Sequence, residues 1–253
     1  MCDLEEGAHL NAKMETSQHA ACSSKEYFDH VYGRNANSDT KFADPIASRE
    51  LVRYLGGKWQ RGTLVDIGCG TGAFAREASA YFIVAAFDVS ERAVRSVPDR
   101  ISRKWIGAGE AMPLRNDSVD YATCLDVMEH LPNPETCLLE TCRVLKRGGF
   151  LLVRTPNPDS LGLWLKGDRW FGFRDPSHVS IGDLETWHER FENCGFLITE
   201  VGTDLLWDPP YLSAADNRPE KLLFQGTNLI AMRLKPFLPW SRGENIYLIA
   251  RKT

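Results

Sequence analysis

The sequence predicts an α/β protein: a seven-stranded, mostly parallel sheet with helices on both faces and an antiparallel last strand. Three observations lead there. Short apolar runs alternate with helical segments of roughly 10–15 residues, which is the rhythm of βαβ units. Three glycines turn the chain directly after the first run. The chain has 253 residues, 43% hydrophobic and 25% charged, enough to bury a large core without a disulfide or metal staple.

The elements follow in order. Residues 1–24 are polar and small and read as a mobile tail ahead of one domain over 25–253. A helical arm over 25–60 comes next, with a helix at 44–55 that has Asp44 as N-cap and Pro45 at its first position. Apolar runs at 63–67, 82–87, 104–106, 121–125 and 150–153 read as strands, and 72–81, 91–100 and 134–145 as the helices between them. At 181–194, Leu184, Trp187, Phe191 and Cys194 share one helical face, and Gly195 stops it. Strands at 196–201 and 245–250 complete the sheet, the latter running antiparallel. Two insertions, 156–180 and 205–243, fit neither pattern. Loops of that length in a compact domain usually serve substrate binding.

Thirty Lys and Arg against 34 Asp and Glu leave a net charge of −4, which opposes a nucleic-acid partner although a local basic patch is compatible with it. Seven cysteines form no Cys-x-x-Cys pair and read as reduced thiols. The acidic first residues do not resemble a signal or transit peptide, and no apolar run is long enough to span a bilayer. A soluble, cytoplasmic protein is expected.

Chemistry concentrates at Leu64-Val-Asp-Ile-Gly-Cys-Gly-Thr-Gly-Ala-Phe-Ala75. A buried strand ends at Asp66, and Gly68, Gly70 and Gly72 permit positive φ and a close ligand approach before a helix starts. Asp88 lies 20 residues after Gly68, at the end of the next strand, where a ribose-binding carboxylate would sit. The spacing also satisfies the dinucleotide fingerprint, which alone is weak. Asp66 separates the two readings. A carboxylate there suits the cationic amino-acid end of S-adenosylmethionine (SAM) and repels a pyrophosphate. No nicotinamide-binding half follows, and a SAM-fold protein that binds without catalysis stays open.

With these motifs the chain strongly resembles the class I SAM-dependent methyltransferases over roughly residues 60–202. The resemblance implies the Rossmann-like form of the predicted sheet and SAM as cofactor, leaving as S-adenosylhomocysteine. Asp88 and the following Val89 match the ribose-side segment. Gly107-Ala-Gly-Glu-Ala-Met-Pro113 is similar to the adenine-side segment, with Ala108 where an Asp is common, so Glu110 and Ala111 are expected to take that part. The carbonyls near Cys124 and Leu125 would face the methionine ammonium. Tyr27 and Phe28 are expected to close over the cofactor.

Transfer to a hydroxyl calls for a base, and histidine is the usual one. His9 and His19 lie in the tail, His30 in the arm and His188 on a polar helix face, which leaves His130 and His178 as catalytic candidates. Asp126-Val-Met-Glu129-His130 follows the fourth strand. If helical, it puts Asp126, Glu129 and His130 on one face, to orient a base, to hold local structure or to chelate a divalent cation. The segment is similar to one in ubiquinone-pathway O-methyltransferases, whose first Glu is here the shorter Asp126. A metal is therefore possible but not favoured. His178 lies at the end of the aromatic insertion, as a hinge or a substrate contact. Trp164, Trp170, Phe171 and Phe173 either line an acceptor pocket or pack their own small core. The second insertion is a substrate wall, a dimer contact or a membrane contact. The expected acceptor is a small molecule, methylated on oxygen.

Overall fold

The computed structural model describes residues 24–34, 45–212 and 218–253. The expected tail before Ser24 and the Asp44 cap lie outside them. Two helices lead in, α1 (Ser24–Arg34) and α2 (Pro45–Lys58). The alternating part runs β1 (Thr63–Ile67), α3 (Ala73–Ala78), β2 (Ile83–Asp88), α4 (Glu91–Ser96), β3 (Arg103–Ile106), β4 (Val119–Leu125), α5 (Pro134–Val144) and β5 (Leu145–Pro156). Then come α6 (Leu161–Lys166), α7 (Phe171–Arg174), α8 (Leu184–Asn193), β6 (Phe196–Thr203), α9 (Arg218–Leu234) and β7 (Asn245–Lys252).

The strand order is β3-β2-β1-β4-β5-β7-β6. β7 pairs antiparallel with both β5 and β6, so the other six strands are parallel and the last one runs against them. The central strands are buried on both faces. In β1 Leu64, Val65 and Ile67 are at most 1% exposed, which is why its sequence is a nearly unbroken apolar run. One face is filled by Leu138, Trp187 and Phe191 from α5 and α8. The other is filled by Leu51, Leu55 and Phe74 from α2 and α3. The sheet reverses its order between β1 and β4, so the chain opens a crevice at the carboxyl ends of these strands, the usual ligand position in such sheets.

The insertions are more structured than their composition suggests. Residues 156–180 hold α6, capped by the Ser160 hydroxyl on Leu163 N–H at 3.0 Å, and α7. Residues 205–243 hold α9. Buried polar groups tie the two together. Trp170 Nε1 and the Tyr211 hydroxyl both donate to Glu244, while Lys166 and Arg174 both pair with Asp208. The aromatic group consequently divides. Trp170 is fully buried in this knot, whereas Trp164 is 78% exposed.

Candidate functional site

The glycine loop leaves β1 with Gly68 at φ 65° and Gly70 at φ 51°, both in the left-handed region. Cys69 N–H donates to Phe87 O at 2.9 Å, binding the loop to β2. Asp88 anchors it further: its Oδ2 accepts Gly70 N–H and its Oδ1 accepts Ser90 N–H, each at 2.9 Å. Burial raises the Asp88 carboxyl above its ordinary range. Gly72 precedes α3 as its N-cap residue, at φ 82°.

Asp66 closes β1. Its Oδ1 accepts the Thr123 hydroxyl at 2.7 Å, and its Oδ2 is buried without a hydrogen-bond partner. Burial pushes the carboxyl up to about 7. An unpaired carboxylate oxygen of this kind is costly unless a ligand supplies the missing donor or cation. The remaining cofactor candidates stand at neighbouring strand ends. Half-buried Val89 follows β2, and Gly107 N–H reaches Asp88 O at 3.0 Å to carry half-buried Glu110 and exposed Ala111 beside it. Half-buried Leu125 ends β4. A cationic amino-acid end facing Asp66, a ribose at Asp88 and glycines without Cβ atoms beneath them fit SAM on the chemistry of the donor set.

α1 lies across this edge. Phe28 and Tyr32, four residues apart, share its inner face. A Cβ on Gly70 would stand 2.9 Å from the Tyr32 hydroxyl, and Asp29 Oδ1 accepts the Ser90 hydroxyl at 2.5 Å. Phe28 meets the His130 ring edge-on at 5.1 Å, and the Tyr27 hydroxyl donates to Asp175 Oδ1 at 2.7 Å. Tyr27 and Phe28 thus face the histidines, and Tyr32 faces the glycine loop.

The β4 segment departs from the shared helical face expected for Asp126, Glu129 and His130. Only Met128–His130 is helical, as a single 3-10 turn, and Asp126 precedes it at φ 56°. Arg154 takes both Asp126 oxygens, the Nε contact at 2.7 Å. A charge-paired carboxylate with fixed bidentate geometry is not available to the other two. His178 takes its place: Glu129, His130 and His178 each bring one potential ligand atom within 4.8 Å of the others. Glu129 is 1% exposed, its Oε2 has no hydrogen-bond partner, and burial and then Asp126 raise its carboxyl well above the ordinary range.

Both imidazoles are locked through Nδ1. His178 Nδ1 lies 2.8 Å from Gly172 O. A carbonyl only accepts, so Nδ1 carries the hydrogen and neutral His178 keeps its lone pair on Nε2. His130 Nδ1 lies 2.8 Å from the Ser177 hydroxyl, which itself donates to Asp175 Oδ1 at 2.5 Å. The serine oxygen is therefore the acceptor for His130, and the second lone pair is again on Nε2. Burial opposes ionisation of Asp175, but hydrogen bonds from Ser177 and Tyr27 win and bring its carboxyl below the ordinary range. Burial and then His178 push His130 down to about 4, so it is neutral at neutral pH. His30 and His188 are exposed and take no part in this cluster.

Sequence reasoning missed Tyr32, Asp175 and Ser177. The signal for the last two was present: in Asp175-Pro-Ser177 the aspartate accepts the backbone N–H two residues on at 2.9 Å, an Asx-turn readable from local sequence. Tyr32 had none, because its partner is remote in the chain.

A family profile described as a methyltransferase domain matches residues 40–201. The chain is 31% identical over 133 residues to an uncharacterized protein of Methanocaldococcus jannaschii, covering 52% of this chain and 63% of that one. It is 24% identical over 122 residues to the ubiquinone biosynthesis O-methyltransferase of Nitrosomonas europaea, covering 45% and 52%. The chain thus spans about half to three-fifths of the length of these curated relatives. Among solved structures, a SAM-dependent methyltransferase of Thermotoga maritima, described as a possible histamine N-methyltransferase, matches with a TM-score of 0.60 at 20% identity over 88% of this chain and 92% of that one. The [4+2]-cyclase SpnF matches with a TM-score of 0.62 at 20% identity, over 90% and 95%. At these identities the two structures speak for the fold alone, and the same frame carries different reactions. The profile match takes in well over half of the chain, including β1 to β5 and most of β6. The chain belongs to the methyltransferase-domain family, whose cofactor is SAM.

Proposed function

We propose that this protein transfers the methyl group of SAM to a hydroxyl of a small-molecule acceptor, with His178 taking the hydroxyl proton. The observation that carries the reading is the His178 tautomer: Nδ1 is held on Gly172 O, which leaves the Nε2 lone pair as a base beside the cofactor edge. When bound, SAM supplies an electrophilic sulfonium methyl and a good leaving group. The chain's own residues do the rest. Asp66 faces the cationic amino-acid end with the Leu125 carbonyl. Gly68, Gly70 and Gly72 shape the loop beneath the cofactor, Gly68 and Gly72 by making room for Val127 and for Val97 with Pro98; Asp88 and Val89 border the ribose, and Glu110 and Ala111 border the adenine. As the acceptor oxygen takes the methyl group, its proton passes to His178 Nε2. Asp175 and Ser177 hold neutral His130 in place beside His178. The likeness to a ubiquinone biosynthesis O-methyltransferase supports oxygen as the acceptor atom. A panel of phenols, amines and carbon acceptors, read by mass of the product, tests this. Methylated phenols are the expected result, and turnover confined to amines or carbon acids overturns it.

The Asp66 assignment carries its own pH dependence. The buried carboxyl takes up a proton near 7, and the neutral acid no longer attracts an ammonium. S-adenosylhomocysteine affinity is therefore expected to weaken as pH falls below about 7, by up to about tenfold per unit. Calorimetric titration between pH 8 and 5.5 checks this. A flat profile removes Asp66 from the amino-acid end.

One observation favours a second reading. The unpartnered Glu129 oxygen and the two histidines form a set able to share a divalent cation, which would polarise the acceptor hydroxyl directly. Turnover of chelator-treated, dialysed protein separates the two. Full activity is expected for the histidine base, whereas loss restored by added Mg²⁺, Mn²⁺ or Zn²⁺ establishes the cation.

A further inference from the structure

α9 carries an apolar ridge that no described residue covers. Leu222, Gly226, Ile230 and Leu234 recur every four residues and so stack along one side of the helix. Leu222 is 76% exposed, Ile230 65% and Leu234 83%, with Leu223 beside them at 59%. Nothing lies within 4 Å of a Cβ placed on Gly226, so the ridge has open space along its middle. The helix's own exposed charges are of one sign. Arg218, Lys221 and Arg233 are exposed. The helix's sole acidic residue, Glu220, is turned inward and buried, where it accepts the backbone N–H groups of Tyr211 and Leu212. Arg233 makes one surface contact with Glu50 at 3.5 Å, which leaves its charge mainly to solvent. A protein with a net charge of −4 thus presents one face that is aliphatic and basic, without an exposed carboxylate on the helix.

That charge pattern chooses the occupant. Two copies meeting ridge to ridge about a two-fold axis would set Arg218 and Lys221 against Arg233, like charge on like. An anionic bilayer answers both features: acyl chains accept the aliphatic ridge and lipid phosphates accept the basic side chains. We propose that α9 docks the protein on an anionic membrane surface, lying in the interface with Leu222, Leu223, Ile230 and Leu234 in the acyl boundary. Among the described residues no helix is long and apolar enough to cross a membrane, so this is surface docking. The position suits an acceptor drawn from lipid. The segment leading into α9 packs Trp207 on Phe171 at 5.0 Å and holds Arg174 through Asp208, and Gly172 between them carries the His178 contact. The docking itself assumes nothing about the atom methylated.

Vesicle sedimentation of the full chain tests it, with phosphatidylcholine vesicles against equimolar phosphatidylcholine and phosphatidylglycerol. The anionic vesicles are expected to carry the protein down, and added salt to release it. The exposed double substitution Leu223→Asp with Ile230→Asp should weaken this binding about tenfold or more while S-adenosylhomocysteine affinity and the melting temperature hold. Failure of the wild type to sediment with anionic vesicles overturns the proposal, as does equal sedimentation of the variant. Light scattering that finds a dimer dissolved by the same substitutions assigns the ridge to a second copy and also overturns it.

Discussion

Gly70→Val is expected to remove measurable S-adenosylhomocysteine binding from a protein that still folds. Gly70 has φ 51°, a region that costs a residue with a Cβ about 1–2 kcal/mol and a β-branched one at least that. The valine must also find space where even its Cβ would be 2.9 Å from the Tyr32 hydroxyl. Any backbone shift that relieves the strain pulls Gly70 N–H off Asp88 Oδ2, so the loop and the Asp88 carboxylate are disturbed together. A loss of two hydrogen-bonding groups and a filled approach path corresponds to about 100-fold or more in affinity, or about 2.7 kcal/mol. Calorimetric titration reads it directly. The strain by itself lowers the melting temperature only by about 2–8 °C, so a folded control remains measurable. Gly70→Ala, with a smaller side chain, should fall between the two. Undiminished binding by the valine variant removes this loop from the cofactor site.

His178→Ala is expected to lower kcat by about 10²–10⁴-fold with S-adenosylhomocysteine affinity unchanged. The substitution removes the lone pair that the Gly172 carbonyl fixes on Nε2, and it removes no group from the glycine loop, Asp66 or Asp88. Neutral His130 does not replace it. Burial holds His130 at about 4, too weak a base to accept a proton from a hydroxyl near neutral pH. His188→Ala serves as the control, because that ring is exposed on α8 and its hydrogen bond goes to Leu184 O of its own helix. Equal turnover of the His178→Ala variant and the wild type excludes His178 as the base. A cofactor affinity that falls in parallel with kcat assigns it to holding the 156–180 insertion in place instead.

The sheet was legible because its signals are local. An apolar run bounded by turn residues gives a buried strand wherever it is placed, and Leu64 to Ile67 and Phe82 to Phe87 needed no partner to be recognised. The ends of β5 were not legible. Leu145 belongs to the strand because Val119 lies opposite it, and Pro156 because Asn245 does. The insertions show the same limit. Both Trp164 and Trp170 are candidates for a pocket on sequence, but Trp170 is buried because Glu244, 74 residues away, accepts its Nε1 hydrogen. Trp164 finds no such partner among the described residues and is exposed.

By itself the sequence determined the fold class, the glycine loop and the carboxylates at Asp66 and Asp88, since backbone freedom at glycine and charge at a strand end are properties of the local chain. Tertiary structure decided which groups meet. Asp126 precedes Glu129 by three residues, yet a left-handed turn and the Arg154 pair take it elsewhere. His178 comes from 48 residues beyond His130 to complete the cluster, and Tyr32 arrives from the arm to cover Gly70. Side chains distant in sequence converge only when the packed sheet brings their backbones together, and no spacing along the chain records that distance.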